Sequence, residues 1–332
     1  ARPLNCSKSN SGSDIGNGRY AVRKDAKGSR CESLEIISLC QSTTMVNLVL
    51  CDQELTSGIL KPKHLREALT ALRKDGYIVL QNAIRDRNLD LLRKRMIADV
   101  DEILRLQDVP FQFNNAHIQQ NPPPFLPYLI RDILVNDFVV AITQALLGDG
   151  LHNSFYSGNT CLPGTFRQPL HVDVGQLWPQ LKQATPAFGL VINVPVVDMS
   201  PQNGSTELWP GTHHDTTRFV DEEDIKIFAE DKERWRAHME PIQLTVPAGG
   251  IVIRDIRLWH RGMPNHTDTP RPMIAMIHYI HWWQTTGPLH FPKGTESIFA
   301  NSPLRTVAKF VDEPIEYLGN NSKYDYSPEN NQ

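Results

Sequence analysis

The chain has no apolar run near the roughly 18 residues that a membrane-spanning helix needs. It has no basic stripe and no acidic tail, and its charges of both signs are mixed along a chain of net charge −3. The first absence argues against a membrane protein, the second against nucleic acid or another highly charged partner. Cysteine is scarce, with Cys6, Cys31, Cys40, Cys51 and Cys161 the five present. The number is odd, and no pair has the spacing of a zinc site or of a secreted disulfide framework. No basic n-region followed by an apolar h-region marks a signal peptide. These absences point to a reducing, intracellular and cytoplasmic setting. There is no internal repeat.

What is present is a chain of 332 residues, 40% hydrophobic and 21% charged, enough for a substantial core. Residues 1–44 are rich in Ser, Asn, Gly, Lys and Arg and read as disordered, apart from an apolar patch over 34–39. Order is expected from about residue 60. Leu65, Ala68, Leu69 and Leu72 follow helical spacing up to a stop at Gly76, and Tyr77–Leu80 reads as a buried strand. Leu89, Leu92, Met96, Val100, Ile103 and Leu104 mark a second helix. An irregular connection over 107–126 leads to helices over 126–135 and 137–147. From residue 152 the pattern changes to short β-rich runs, at 152–161, 167–178, 188–197, 242–246, 251–259 and 272–282, broken by one charged helix over 221–238. This is the pattern of a mainly β protein with flanking helices, built as a double-sheet barrel or jelly roll. The expected organisation is one domain over 60–317, with helices over 60–150 and the β core over 152–285, and a flexible tail over 318–332.

Within the β region, His171 and Asp173 stand two residues apart on an apolar segment. On a strand both side chains would point to one face. His260, between an apolar strand and the turn 261–265, is the plausible third ligand. Two histidines and one carboxylate on one side of a metal suit a non-haem Fe(II) centre that activates oxygen. Arg271 opens an apolar strand and shares a face with Met273, Ala275, Ile277 and Tyr279. A guanidinium directed among apolar residues needs an anion: a ligand carboxylate, or a protein acid such as Asp255.

In its motifs the chain resembles the phytanoyl-CoA dioxygenase family of Fe(II)- and 2-oxoglutarate-dependent oxygenases. The matching residues are Gln168-Pro169-Leu170-His171-Val172-Asp173, Asn203-Gly204-Ser205-Thr206, Pro210-Gly211-Thr212-His213, Trp259-His260-Arg261-Gly262, Pro264-Asn265 and Arg271. The likeness spans about residues 62–285. It implies a double-stranded β-helix, the cupin-like jelly roll. It implies that His171, Asp173 and His260 ligate Fe(II), and that Arg271 holds the distal carboxylate of 2-oxoglutarate. Gln168, Thr206 and Asn193 would face that cosubstrate, with O2 as the second one. The implied reaction oxidises an unactivated C–H bond of a small molecule, releasing succinate and CO2. Relatives that bind halide replace the carboxylate by Gly or Ala, so Asp173 implies oxidation rather than halogenation.

The remaining residues carry weaker signals. His213 and His214 read as structural or surface residues, while His281 shares parity with Arg271 and could line the pocket. Arg254 has the parity of His260 and would face the barrel unless a bulge intervenes. Trp178, Trp259, Trp282 and Trp283 read as core or pocket wall, and Asn265 and Thr267 as stabilisers of the turn before Arg271. Substrate choice would lie in the segments 111–125, 175–186 and 221–238. No Gly-rich phosphate loop or dense basic cluster supports a coenzyme A thioester, which favours a free small molecule. The competing reading is a cupin-like ligand-binding protein, non-catalytic or using another metal.

Overall fold

Ordered elements begin before residue 60. The computed structural model describes residues 45–84, 88–220, 224–285 and 287–326. The segment 1–44 and its apolar patch lie outside the described residues, as do 221–223 at the start of the charged insertion, 286 and 327–332. Strand β1 (Asn47–Val49) and helix α1 (Asp52–Ser57) come first. Buried Glu54 secures α1, accepting hydrogen bonds from the backbone N–H of Cys51 at 3.0 Å and of Lys61 at 2.8 Å. Helix α2 (Pro62–Lys74) starts on a proline, buries Ala68, Ala71 and Leu72, and ends with Arg73 and Lys74 against its negative pole. Gly76 then turns the chain at φ +81°, where a Cβ would lie 2.6 Å from His213 Nδ1. Strand β2 (Tyr77–Gln81) and helix α3 (Leu89–Ile103) follow where the periodicity places them.

The connection over 107–126 is not irregular throughout. It contains β3 (Phe111–Gln112) and β4 (Asn114–Gln119), whose polar composition hides them from a propensity reading. The helix expected over 126–135 shrinks to α4 (Arg131–Leu134); before it the chain makes a turn, with Tyr128 N–H donating to Phe125 O at 2.9 Å. Helix α5 (Asp137–Leu147) is capped by Asn136, whose side chain accepts from the N–H groups of Phe138 and Val139 at 3.2 Å each.

The β region comprises β5 (His152–Cys161), β6 (Gly189–Pro195), β7 (Thr206–Leu208), β8 (Ile242–Gln243), β9 (Ile251–Asp255), β10 (His260–Gly262) and β11 (Arg271–Tyr279), then β12 (Leu289–Pro292), β13 (Arg305–Thr306) and β14 (Ala308–Val311). Helix α6 (Ala229–Arg236) occupies part of the expected insertion. The larger sheet runs β1-β2-β9-β6-β11-β5-β4-β3, with β13 beside β5; a smaller sheet runs β10-β7-β8, and β12 pairs with β14. This is the mainly β, jelly-roll-type architecture that the strand spacing suggests. Alternation sorts the large sheet's two faces. Ile192, Val194, Ile251, Ile253, Ile274 and Met276 join the core that includes Leu72 and Val139 of the helices. Val191, Asn193, Arg254, Met273 and Ala275 point the other way, into a cavity.

One expected strand does not form. Residues 167–178 make no regular element; His171 forms isolated bridges to His260 and to Lys226, and Gln176 forms one to Phe219. Pro169 has no N–H to give a ladder, and Gly175 passes so close to Phe219 that a Cβ would sit 2.4 Å from its backbone nitrogen. The segment is still held beside β10, through Gln168 N–H to Gly262 O at 2.9 Å, His171 N–H to His260 O at 3.1 Å and the reverse bond at 2.9 Å.

Candidate active site

A cavity of about 540 Å³ opens between the two sheets. All seven residues expected to serve the site line it: His171, Asp173, His260, Arg271, Gln168, Thr206 and Asn193. One ligand atom from each of His171, Asp173 and His260 lies within 4.8 Å of the others, so a small inward adjustment would bring them onto a single ion. The two imidazoles are 4.4 Å apart between ring centroids. His171 Nδ1 lies 2.8 Å from Pro169 O, and His260 Nδ1 lies 2.9 Å from Leu258 O. A carbonyl can only accept, so each Nδ1 carries the proton and each Nε2 keeps its lone pair for a metal. Burial lowers both imidazoles below their usual range, against the pull of Asp173 in the other direction. Neutral histidine is the metal-binding form.

Asp173 presents its two oxygens to different partners. Oδ1 is 3.6 Å from His260 Nε2, while Oδ2 takes a 2.7 Å ion pair from Arg254. Burial would raise this carboxyl, but Arg254, His260 and His171 together hold it at about 2. Arg254 therefore faces the barrel as its parity suggests, and its partnership with Asp173 is the main feature that sequence reasoning missed. Its Nε also donates to Asn193 Oδ1 at 3.2 Å. Gln168 is similarly engaged through Oε1, which accepts from Gly262 N–H at 2.8 Å.

Arg271 starts β11 opposite Cys161 and is 1% exposed. Its Nη2 donates to Gly204 O at 2.7 Å, while Nε and Nη1 have no hydrogen-bond partner among the described residues. Gly204 is fixed at φ +75°, and a Cβ there would sit 2.6 Å from Cys161 Sγ, which accounts for the glycine in the Asn-Gly-Ser-Thr motif. Burial works against the charge of Arg271, and Cys161 offsets that only in part. The alternative partner, Asp255, is taken by Arg257 at 2.8 Å. Asn265 holds the turn before Arg271, donating to Cys161 O at 3.2 Å and Thr269 O at 2.8 Å while accepting from Thr267 N–H at 3.0 Å.

Other expected positions are redistributed. His281 is exposed and does not line the cavity, because β11 ends at Tyr279. His213 is buried against Arg73 O, a structural placement. Trp178 and Trp282 are 45% and 47% exposed rather than buried, Trp259 is core, and Trp283 lines the cavity. No residue of the loop 175–186 reaches the cavity; Gln112, Phe113 and Gln119 do, and Ile225 does from the insertion. The segment expected as a flexible tail also contributes. Tyr324 lines the cavity and bonds through its backbone to Phe113 N–H at 2.9 Å and Phe111 O at 3.0 Å.

A phytanoyl-CoA dioxygenase family model matches residues 72–273. Dioxygenase af480 of Aspergillus fumigatus is 31% identical over 170 residues, covering 50% of this chain and 49% of that protein. The chain thus spans about half the length of this curated relative. The epimerase SnoN, solved in complex with Fe3+, alpha ketoglutarate and nogalamycin RO, superposes with a TM-score of 0.50 and 16% identity over 76% of this chain and 98% of its own. EctD from S. alaskensis, solved with 2-oxoglutarate and 5-hydroxyectoine, gives a TM-score of 0.50 and 17% identity over 66% and 76% of the respective chains. At these identities the structural likeness is one of fold. No helix among the described residues is long and apolar enough to cross a membrane.

Proposed function

The chain belongs to the phytanoyl-CoA dioxygenase family, and from that membership we propose that it is an Fe(II)- and 2-oxoglutarate-dependent oxygenase. It hydroxylates or otherwise oxidises an unactivated C–H bond of a small organic molecule, with O2 as cosubstrate and release of succinate and CO2. The observation that carries this reading is that Nε and Nη1 of Arg271 are buried without a hydrogen-bond partner among the described residues, in the same cavity as His171, Asp173 and His260. A buried guanidinium short of acceptors is costly, and an anion entering the cavity would supply what is missing.

His171, Asp173 and His260 would hold the iron through two neutral nitrogens and one anionic oxygen. When bound, the metal and 2-oxoglutarate supply oxygen activation coupled to oxidative decarboxylation. Arg271 binds the distal carboxylate of the cosubstrate, and Gly204 O keeps its guanidinium oriented. Arg254 holds Asp173 ionised and turned toward His260. Gln168, Thr206 and Asn193 surround the same space with neutral polar groups. Met273, Val191 and Ile256 line it with apolar surface, which excludes water and strengthens the charge pairing at Arg271.

The test is anaerobic addition of Fe(II) and then 2-oxoglutarate, followed by visible absorption. A metal-to-ligand charge-transfer band is expected, and its absence from folded, iron-loaded protein would remove the cosubstrate from the reading. His171→Ala should abolish iron-dependent succinate formation.

A further inference from the structure

The cavity also carries information about the molecule that is oxidised. Besides Phe155, it is lined by two groups of aromatic side chains. Tyr279 and Trp283 stack at 5.4 Å between centroids with 6° between planes, and Phe188 backs Trp283 at 5.0 Å and 18°. The second group is Phe113 and Tyr324, edge to face at 5.3 Å, with Phe113 also 4.8 Å from His171. Phe113 sits at φ +66°, an unfavourable conformation for a side chain of that size. Residues 318–326 help to hold it there: besides the two backbone bonds of Tyr324, Gln112 donates to Ser322 O at 3.1 Å and Tyr326 stacks on Phe111 at 5.0 Å.

The charges of the cavity are few and already assigned. Among the described lining residues the charged side chains, histidines apart, are Asp173, Arg254 and Arg271. Arg254 is paired with Asp173, and Arg271 is given to 2-oxoglutarate on the oxygenase reading, on which this inference rests. The lysines next to the rim segments are also paired, Lys226 with Asp325 at 3.0 Å and Lys323 with Asp108 at 2.6 Å. No unassigned cation among the lining residues is left for a phosphate or a second carboxylate. The other polar lining groups include the neutral amides of Gln112, Gln119 and Gln284. The volume of about 540 Å³, shared with the metal and 2-oxoglutarate on that reading, is in the range of small-molecule sites.

We propose that the substrate is an uncharged, largely hydrocarbon molecule with a flat ring system. It packs against the Trp283–Tyr279 pair and the Phe113–Tyr324 pair, and its oxygen substituents are met by neutral amides. The aromatic faces supply area burial and ring stacking with little loss of side-chain freedom, since the rings are already locked against one another. An acyl-coenzyme A, with its phosphates, lacks the cations that would hold it. Residues 318–326 are then part of the binding site, through Tyr324 and through the Phe113 conformation they maintain.

The test is direct binding to the full chain of N-phenyl-1-naphthylamine, an uncharged aromatic fluorophore whose emission rises in apolar surroundings. Saturable binding of one molecule per chain is expected. Trp283→Ala and Tyr324→Ala should each weaken it at least about tenfold, and Trp283→Phe, which keeps a ring, should recover most of the loss. Coenzyme A should not displace the probe. Displacement by coenzyme A at comparable concentration, or unchanged binding in both alanine variants, would overturn the proposal. Probe binding needs neither metal nor 2-oxoglutarate. A protein that binds the fluorophore but gives no charge-transfer band would sink the oxygenase reading and free Arg271 for a charged ligand, overturning the uncharged class while keeping the aromatic site; a band without probe binding would sink only the substrate class.

Discussion

Arg257 and Arg271 are both almost completely buried, and the structure treats them in opposite ways. Arg257 is satisfied on every side. Its Nε and Nη2 clamp Asp255 at 2.8 Å each, and its Nη1 donates to Gln176 Oε1 and Thr185 O at 2.9 Å each. Arg271 has one backbone carbonyl, and its Nε and Nη1 have no acceptor among the described residues. Burying a guanidinium is expensive either way. Where the protein supplies the anion and the acceptors, the residue ties the fold together. Where the acceptors are missing in a cavity, the site is shaped for something that arrives. Burial alone does not separate the two cases; the inventory of hydrogen bonds does.

The comparison can be broken most forcefully at Arg257. Arg257→Met leaves Asp255 buried without a counter-charge and should cost about 3–5 kcal/mol, measured by urea unfolding. The sign of its pH dependence follows from Asp255. Burial pushes that carboxyl up, but Arg257 outweighs it and holds it below the ordinary aspartate range. The wild-type pair therefore contributes stability above that range and loses it as pH falls through the lowered value. Without Arg257 burial prevails, the carboxyl is raised, and the variant gains relative stability on acidification. The gap between the two proteins should narrow from neutral pH toward the aspartate range. A constant gap would mean that Asp255 is not what Arg257 neutralises.

Arg271→Met should do the reverse. Stability of the ligand-free protein should be unchanged or higher, since an under-satisfied charge is replaced by an apolar chain. Affinity for 2-oxoglutarate should fall at least about 100-fold, measured by calorimetry on metal-loaded protein. The stabilisation that wild type gains from the cosubstrate, about 2.7 kcal/mol at a hundredfold excess over Kd, should shrink to about 0.4 kcal/mol or less at the same concentration. Loss of stability without loss of affinity would put Arg271 in the same class as Arg257.

Much of this contrast was legible in the residues. The face shared by Arg271, Met273, Ala275, Ile277 and Tyr279 follows from strict alternation and lines the cavity as read. His171, Asp173 and His260 came together although the strand expected over 167–178 does not form, because bridges to His260 replace a regular ladder. The pairing of Arg257 with Asp255 could not be anticipated from alternation alone. It forms in the turn after β9, where period two no longer governs direction. Nor could Tyr324 be assigned to the cavity, since it depends on a long-range bridge to Gln112. Strands β3 and β4 were hidden by Asn and Gln, whose place in a sheet is decided by partners rather than by propensity.

Arg254 stands between the two cases and gives the finest test. It has a protein carboxylate, as Arg257 does, and an unpartnered buried Nη1 in the cavity, as Arg271 has. If its task is to hold Asp173 in place, Arg254→Met should weaken metal binding about 10–100-fold, the usual effect of losing a partner behind a ligand. Asn193→Ala removes only the 3.2 Å bond to Nε and leaves the shorter 2.7 Å pair with Asp173. It should cost about 1 kcal/mol in stability and shift metal affinity much less than Arg254→Met, as read by metal titration. The same titrations separate the two roles open to Asn193. A small loss of metal affinity with 2-oxoglutarate binding intact makes it a brace for Arg254. Intact metal binding with weaker 2-oxoglutarate binding restores the cosubstrate-facing role that its place on β6 suggests.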